Sequence, residues 1–176
     1  AGSEVSGPQN GNENLFVNKW SVIIKQKNSQ NNEMKKILKF WKLLGSKTVT
    51  MDAEQHDKIF AITSHLPHLI AYNLILTATN FKISNKENIL KFSAGGLRDF
   101  SRIAASNEIM WRDIFFNNKK NMIKAIDIFI KNLKIFKRDI KLNKKNLETK
   151  LKNLKKVKKK IVLLKQDTSK PDFGRI

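Results

Sequence analysis

The segment Thr63-Ser64-His65-Leu66-Pro67-His68 sets two imidazoles three residues apart inside an otherwise apolar run. In a helix that spacing puts both rings on one face. Pro67 has no amide hydrogen to donate, so the carbonyl of Thr63 loses its helical partner and the helix bends. A bend beside two imidazoles and a hydroxyl is an economical way to open a polar pocket in an apolar element. The plainer alternative is a structural kink with one satisfied core histidine. HxxH also hints at zinc, but with no third ligand nearby the hint is weak, and no metal is expected.

A second segment, Gly95-Gly96-Leu97-Arg98-Asp99-Phe100-Ser101-Arg102-Ile103-Ala104, holds two arginines one turn apart. The glycines allow a tight entry and close backbone approach, and Asp99, three residues before Arg102, can orient it. Arginine is otherwise scarce: Arg98, Arg102, Arg112, Arg138 and Arg175 are the whole set, in a chain rich in lysine. Choosing the guanidinium fork here points to bidentate carboxylate recognition, with surface salt bridges as the alternative. Two further segments say less. Ala1 to Gly7 reads alone as a loop, and the tryptophan of Met110-Trp111-Arg112-Asp113 reads as core.

These residues need elements to position them. Trp20 to Ile24 reads as a short buried strand. From Glu33 to Leu44, Met34, Ile37, Leu38, Trp41 and Leu44 recur at helical spacing, and Gly45 stands where a helix C-cap glycine belongs. Lys47 to Thr50 reads as a second strand, so that strand, helix and strand resemble the tail of an α/β sheet. From Asp52, which with Gln55 suggests a capping box, an apolar stripe runs to about Asn80. Shorter helices are expected over Ser84 to Phe92, Leu97 to Ala105 and Glu108 to Phe116. Then Ile126, Ile130, Leu133, Lys137, Ile140, Lys144, Leu147, Leu151, Leu154, Lys158 and Ile161 alternate steps of four and three. That is one long helix, or two broken near Asn143, packed along a seam. Gln166 to Ile176 reads as irregular.

The net charge of +20 invites a nucleic-acid reading. Three-quarters of it lies in residues 119–165, where 17 lysines and Arg138 oppose Asp127, Asp139 and Glu148. Base-reading and phosphate-gripping elements favour arginine; a lysine excess in an Asn- and Ile-rich chain reads as a solvated helix face. A basic helical module binding nucleic acid or another polyanion is the alternative function. Cysteine is absent, which excludes disulfides and thiolate metal sites and fits a cytoplasmic location. No stretch reaches the roughly 18–20 apolar residues a membrane span requires; the densest region, Leu66 to Thr79, is interrupted by His68, Tyr72, Asn73 and Thr77, and no membrane partner is expected.

AGSEVSG at 1–7, MDAEQHDKIFAITSHLPHLIAY at 51–72 and AGGLRDFSRIAASNEIMWRDI at 94–114 together resemble the prephenate and arogenate (cyclohexadienyl) dehydrogenase family, and QDTSKPDFGR at 166–175 is similar to the ending of its alphaproteobacterial type. The resemblance covers essentially the whole chain. It implies a mainly α fold: an all-helical dimerisation domain, like the C-terminal domain of 6-phosphogluconate dehydrogenase, after the last strand, helix and strand of a Rossmann-type domain. The implied division is residues 1–50 as remnant of the nucleotide-binding domain, 51–165 as helical substrate-binding and dimerisation domain, and 166–176 as tail. The implied reaction oxidises a cyclohexadienyl acid with NAD or NADP; hydride leaves C4, the ring carboxylate departs as CO2, and 4-hydroxyphenylpyruvate or tyrosine forms.

Carried over by motif, Arg102 would grip a substrate carboxylate across the interface of a homodimer. Ser64 and His68 would line the substrate pocket, with His65 behind them. Ser3 would contact substrate, Glu4 would pair with Arg98 as an ionic gate, and Asp99 would fix the arginine loop. The family often has lysine where Arg98 stands, which changes the geometry of the gate. The family's catalytic histidine, in an HPxAG motif, would precede Ala1, and a glycine-rich dinucleotide turn is absent from the sequence. The expectation is therefore no catalytic residue in these 176 residues and no turnover by them alone. Tyrosine, as a product-like ligand, could compete for the same pocket. No residue decides prephenate against arogenate.

Overall fold

The computed structural model of the chain describes residues 7–26, 28, 30–81 and 89–163. Ser3, Glu4, residues 84–88 of one expected helix and the tail 166–176 lie outside them. The chain divides into two compact units, Ala1–His65 with Ser106–Asn121, and Leu66–Ala105 with Met122–Ile176.

In the first unit, β1 (Trp20–Ile24) and β2 (Lys47–Met51) pair in parallel, Trp20 opposite Lys47 and Ile24 opposite Met51. A parallel pair requires a crossover, and α1 (Asn31–Leu43) supplies it, packing on β2. The helix stops where the sequence predicts. Gly45 takes φ +79°, its N–H donates to Lys42 O and the N–H of Ser46 to Trp41 O, the two bonds of a Schellman cap. Glycine is needed there twice over, because an added Cβ would also come within 3.1 Å of Val17 Cγ2. Phe16 meets Trp41 edge-on at 5.2 Å, and Ser21, Ile23 and Ser46 are buried.

Asp52 caps α2 (Ala53–Phe60): its carboxylate accepts from the N–H of Gln55 at 2.7 Å. The run then continues as a π-helical turn, Ala61–His65, and α3, Leu66–Asn80, which belongs to the second unit. Ala53–Asn80 contains an 18-residue window of mean hydropathy 1.4, enough by length and composition to cross a bilayer. This differs from the sequence expectation, because His68, Tyr72, Asn73 and Thr77 interrupt the apolar region while the window average stays high. The first unit is completed by α5 (Glu108–Asn117), capped by Asn107, whose side chain accepts from Met110 N–H at 2.8 Å.

In the second unit, α4 (Gly95–Ser101) and the 3-10 turn Arg102–Ala105 both pack on α3, as does the 3-10 turn Ile89–Phe92. The expected helix over Leu97–Ala105 is thus an α-helix that tightens at Arg102. The long seam breaks where expected, between α6 (Lys119–Lys141) and α7 (Asn146–Leu163). Asn143 adopts φ +46°, and the Asn143 and Lys144 amides close a second Schellman cap on Ile140 O and Asp139 O. Among the described residues the seam is only partly covered: Ile126 and Leu147 are half-buried. Ile130, Leu133, Ile140, Leu151, Leu154 and Ile161 are all exposed. An apolar groove of about 370 Å³ runs between α3 and α6, walled by Leu66, Ile70, Leu74, Ile126, Phe129 and Leu133 among others.

One carboxylate pins the α6–α7 corner. Asp139 is only 2% exposed and accepts from Lys150 Nζ, with Lys144 Nζ at 3.9 Å. The Lys150 hydrogen bond, helped by the charges around it and opposed by burial, holds the Asp139 carboxyl below its ordinary value of 3.8. A carboxyl depressed in the native state contributes stability that is complete above that ordinary value and is lost as pH falls through the native one. Thermal midpoints of wild type and Asp139→Asn, measured from about pH 6 down to about pH 2, should differ most at the upper end and converge at the lower. A gap independent of pH would remove this role from the pair.

Candidate functional site

The spacing puts His65 and His68 on one helical face. Across Ala61–His65 the backbone takes the wider π turn, and α3 starts at Leu66 with Pro67 second. Early in a helix the missing proline N–H costs least, and single π turns recur at functional sites. His65 falls in the first unit and His68 in the second. The side chains of Ser64, His65 and His68 are half-buried.

In the first unit the His65 ring meets the buried indole of Trp111 edge-on, centroids 6.1 Å apart, and Trp111 leans on Phe115 at 5.6 Å. Asn118, 6% exposed, follows α5. Its side-chain nitrogen donates to Asp57 O at 2.7 Å and lies 3.3 Å from His65 Nδ1; its oxygen accepts from Asn121 Nδ2 at 2.8 Å. Nothing in the sequence singled out Asn118, since an asparagine after a helix is ordinarily a cap. Arg112 is turned away onto Asp113, 2.8 Å between charged atoms, on the exposed face of α5.

In the second unit, His68 sits on α3, and α4 and the turn opening at Arg102 both pack against that helix. The elements carrying His68 and Arg102 are therefore neighbours within one protomer. The side chains of Arg98, Asp99 and Arg102 are exposed. No ion pair joins Asp99 to Arg102 among the described residues; between two exposed side chains such a pair gains less than about 1 kcal/mol, too little to impose it. At Gly95-Gly96 no close approach is found among the described residues, a Cβ on Gly95 coming no nearer than 3.9 Å, to Asp99 Oδ2. Both residues open α4, and a Cβ on Gly96 would meet nothing within 4 Å. Ser3 and Glu4 lie outside the described residues, so the gate between Glu4 and Arg98 has no observed geometry.

With these elements in view, residues 52–165 match the family model described as prephenate dehydrogenase, dimerization domain. The chain belongs to the prephenate dehydrogenase family. It is 35% identical over 130 residues to a cyclohexadienyl dehydrogenase of Zymomonas mobilis, covering 74% of this chain and 44% of that protein. It is 31% identical over 135 residues to a prephenate dehydrogenase of Bacillus subtilis, covering 74% and 35%. The crystal structure of Aquifex aeolicus prephenate dehydrogenase in complex with hydroxyphenyl propionate and NAD+ superposes with a TM-score of 0.84 at 35% identity, over 91% of this chain and 56% of that one. Synechocystis arogenate dehydrogenase shares the fold, with a TM-score of 0.72 at 20% identity. The chain spans about half the length of such relatives or less. The match takes in the apolar run Ala53–Asn80 and the lysine-rich α6 and α7 alike, and so reads both as parts of the dehydrogenase's helical domain.

Trp111 closes the side of the π turn that holds His65. Trp111→Ala should cost about 3–5 kcal/mol of stability, and Trp111→Phe clearly less, as for other buried large-to-small changes. Urea unfolding of the two variants measures it; an alanine cost under about 1 kcal/mol would mean the indole is not core.

Proposed function

We propose that the protein is an NAD- or NADP-dependent dehydrogenase acting in the cytoplasm. It would convert prephenate to 4-hydroxyphenylpyruvate, or arogenate to tyrosine, by oxidative decarboxylation. The observation that carries this is the family match over residues 52–165. Residues 1–50 would be the end of the nucleotide-binding domain, 51–165 the helical substrate-binding and dimerisation domain, and 166–176 an irregular tail.

The substrate carries two carboxylates, one of them on a ring that gains aromaticity once C4 surrenders a hydride and C1 that carboxylate. The nicotinamide, when bound, accepts that hydride. This sequence offers no glycine-rich turn for the dinucleotide, so what these residues can contribute is substrate binding and orientation. Arg102 would hold a carboxylate through two parallel N–H bonds. His68 and Ser64 would supply hydrogen bonds that fix the ring, and Ser3 a further contact. Glu4 and Arg98 would gate the pocket, Asp99 would steady the arginine loop, and His65 would act from behind. Holding the ring against the hydride acceptor is worth several kcal/mol in itself. Tyrosine, which keeps a carboxylate and a 4-hydroxyl, would compete for the same groups.

A second copy of the chain would complete the assembly. The partly covered seam of α6 and α7, the α3–α6 groove and the family's dimerisation domain support that reading. An exposed Arg102 would then serve the partner's pocket. The polyanion alternative has no support beyond lysine content.

Steady-state kinetics of the full-length enzyme test the reading. Arg102→Ala should lower kcat/KM for prephenate by a factor corresponding to about 2–5 kcal/mol, and Arg102→Lys should recover little of it, since an ammonium cannot fork. Lysine-driven binding to DNA would instead survive Arg102→Ala and fall steeply with salt. Mixing Arg102→Ala with His68→Ala protomers checks the exchange between subunits. If Arg102 crosses the interface, mixed dimers hold one intact pocket and activity returns to about a quarter of wild type. No recovery over either parent would place both residues in the same protomer's pocket.

A further inference from the structure

We infer that Asn118 is a positioning residue for the candidate substrate segment: it fixes His65 as the neutral tautomer with its proton on Nε2, and ties that ring to the helix preceding the π turn. The inference deepens the proposed function and rests on it for its kinetic consequence only.

The argument is one of donors and acceptors. A backbone carbonyl only accepts, so the Asn118 atom 2.7 Å from Asp57 O is the amide nitrogen. The amide oxygen is then the atom that accepts from Asn121 Nδ2 at 2.8 Å, which agrees with the same orientation. An amide nitrogen has two hydrogens. One is committed to Asp57 O, and the other faces His65 Nδ1 at 3.3 Å. Nδ1 must therefore present a lone pair, and the neutral ring carries its hydrogen on Nε2. An imidazolium would set Nδ1–H against the amide hydrogen, two donors facing each other beside a buried asparagine and a buried tryptophan.

The position of Asn118 explains why this residue can do so. Its own N–H caps α5 by donating to Ile114 O at 3.1 Å, and α6 starts at the next residue. The side chain thus projects from a rigid corner and spans 61 residues of sequence to reach Asp57. Asp57 lies one turn before the π turn and His65 ends it. A clamp on both sides of a wide turn holds the turn open, and Ser64 lies inside it. Aspartate at 118 would be nearly isosteric but could donate to neither partner. Glutamine would keep the amide and lengthen the reach.

The tautomer can be read directly. In two-bond 15N–1H spectra of the histidine rings of the full-length protein at neutral pH, His65, assigned by its loss in His65→Gln, should show a pyridine-like Nδ1 and a protonated Nε2. Asn118→Asp should convert it to a ring protonated at Nδ1. A wild-type Nδ1–H tautomer overturns the proposal outright, whether or not the protein oxidises prephenate. In kinetics, Asn118→Asp and Asn118→Ala should lower kcat/KM for prephenate by up to about 100-fold, and Asn118→Gln should restore part of it at equal thermal stability. Variants that keep kcat/KM within about twofold of wild type would reduce Asn118 to a helix cap and overturn its positioning role. Failure of the functional reading would look different: no prephenate turnover by the wild type, with the ring spectrum as expected.

Discussion

Pro67 cannot donate a backbone hydrogen bond, and the helical run from Ala53 to Asn80 is organised around that lack. In a straight α-helix the carbonyl of Thr63 would await the missing donor. Here the backbone widens into a π turn over Ala61–His65, and α3 restarts with the proline near its beginning. The two histidines fall in different units. His65 packs on Trp111 and faces Asn118, whereas His68 rides on the helix against which the Arg102 turn packs.

The wide turn has to be held by something other than itself, because π geometry has no intrinsic advantage over α. Two kinds of contact do so. One is packing at a buried indole, with Ala61, 1% exposed, at the start of the turn. The other is the Asn118 amide, which uses both hydrogens on groups flanking the turn. A buried amide with every hydrogen committed is costly to disturb, so a short polar network fixes a backbone irregularity that the apolar stripe alone would let relax.

The second unit follows a different logic. Its helices bury little of their apolar stripes within the chain, and α7 exposes Leu151, Leu154, Val157 and Ile161 while its corner is pinned by a lysine–aspartate pair. Such a helix gains most of its stability from what packs on it, and the proposed second copy would supply that cover. Lysines stand both on the solvated side and at three seam positions, Lys137, Lys144 and Lys158.

Local rules wrote much of the chain legibly. Gly45 and Asn143 marked two helix ends because only residues tolerant of positive φ close a Schellman cap, and Asp52 marked a start because a carboxylate satisfies free amides. Trp20–Ile24 was readable as a strand from its apolar run, and the family was readable from motifs whose order and spacing chance does not supply. Tertiary structure alone decided the rest. It set the π turn apart from a simple kink, since both follow from Pro67 and packing chooses between them. It left Asp99 unpaired with Arg102, since an exposed ion pair at favourable spacing gains too little to be imposed by sequence. It brought Asn118 to His65 across 53 residues, a contact no local period encodes, because hydrogen bonds between distant residues exist only once the backbone has folded to bring them within reach.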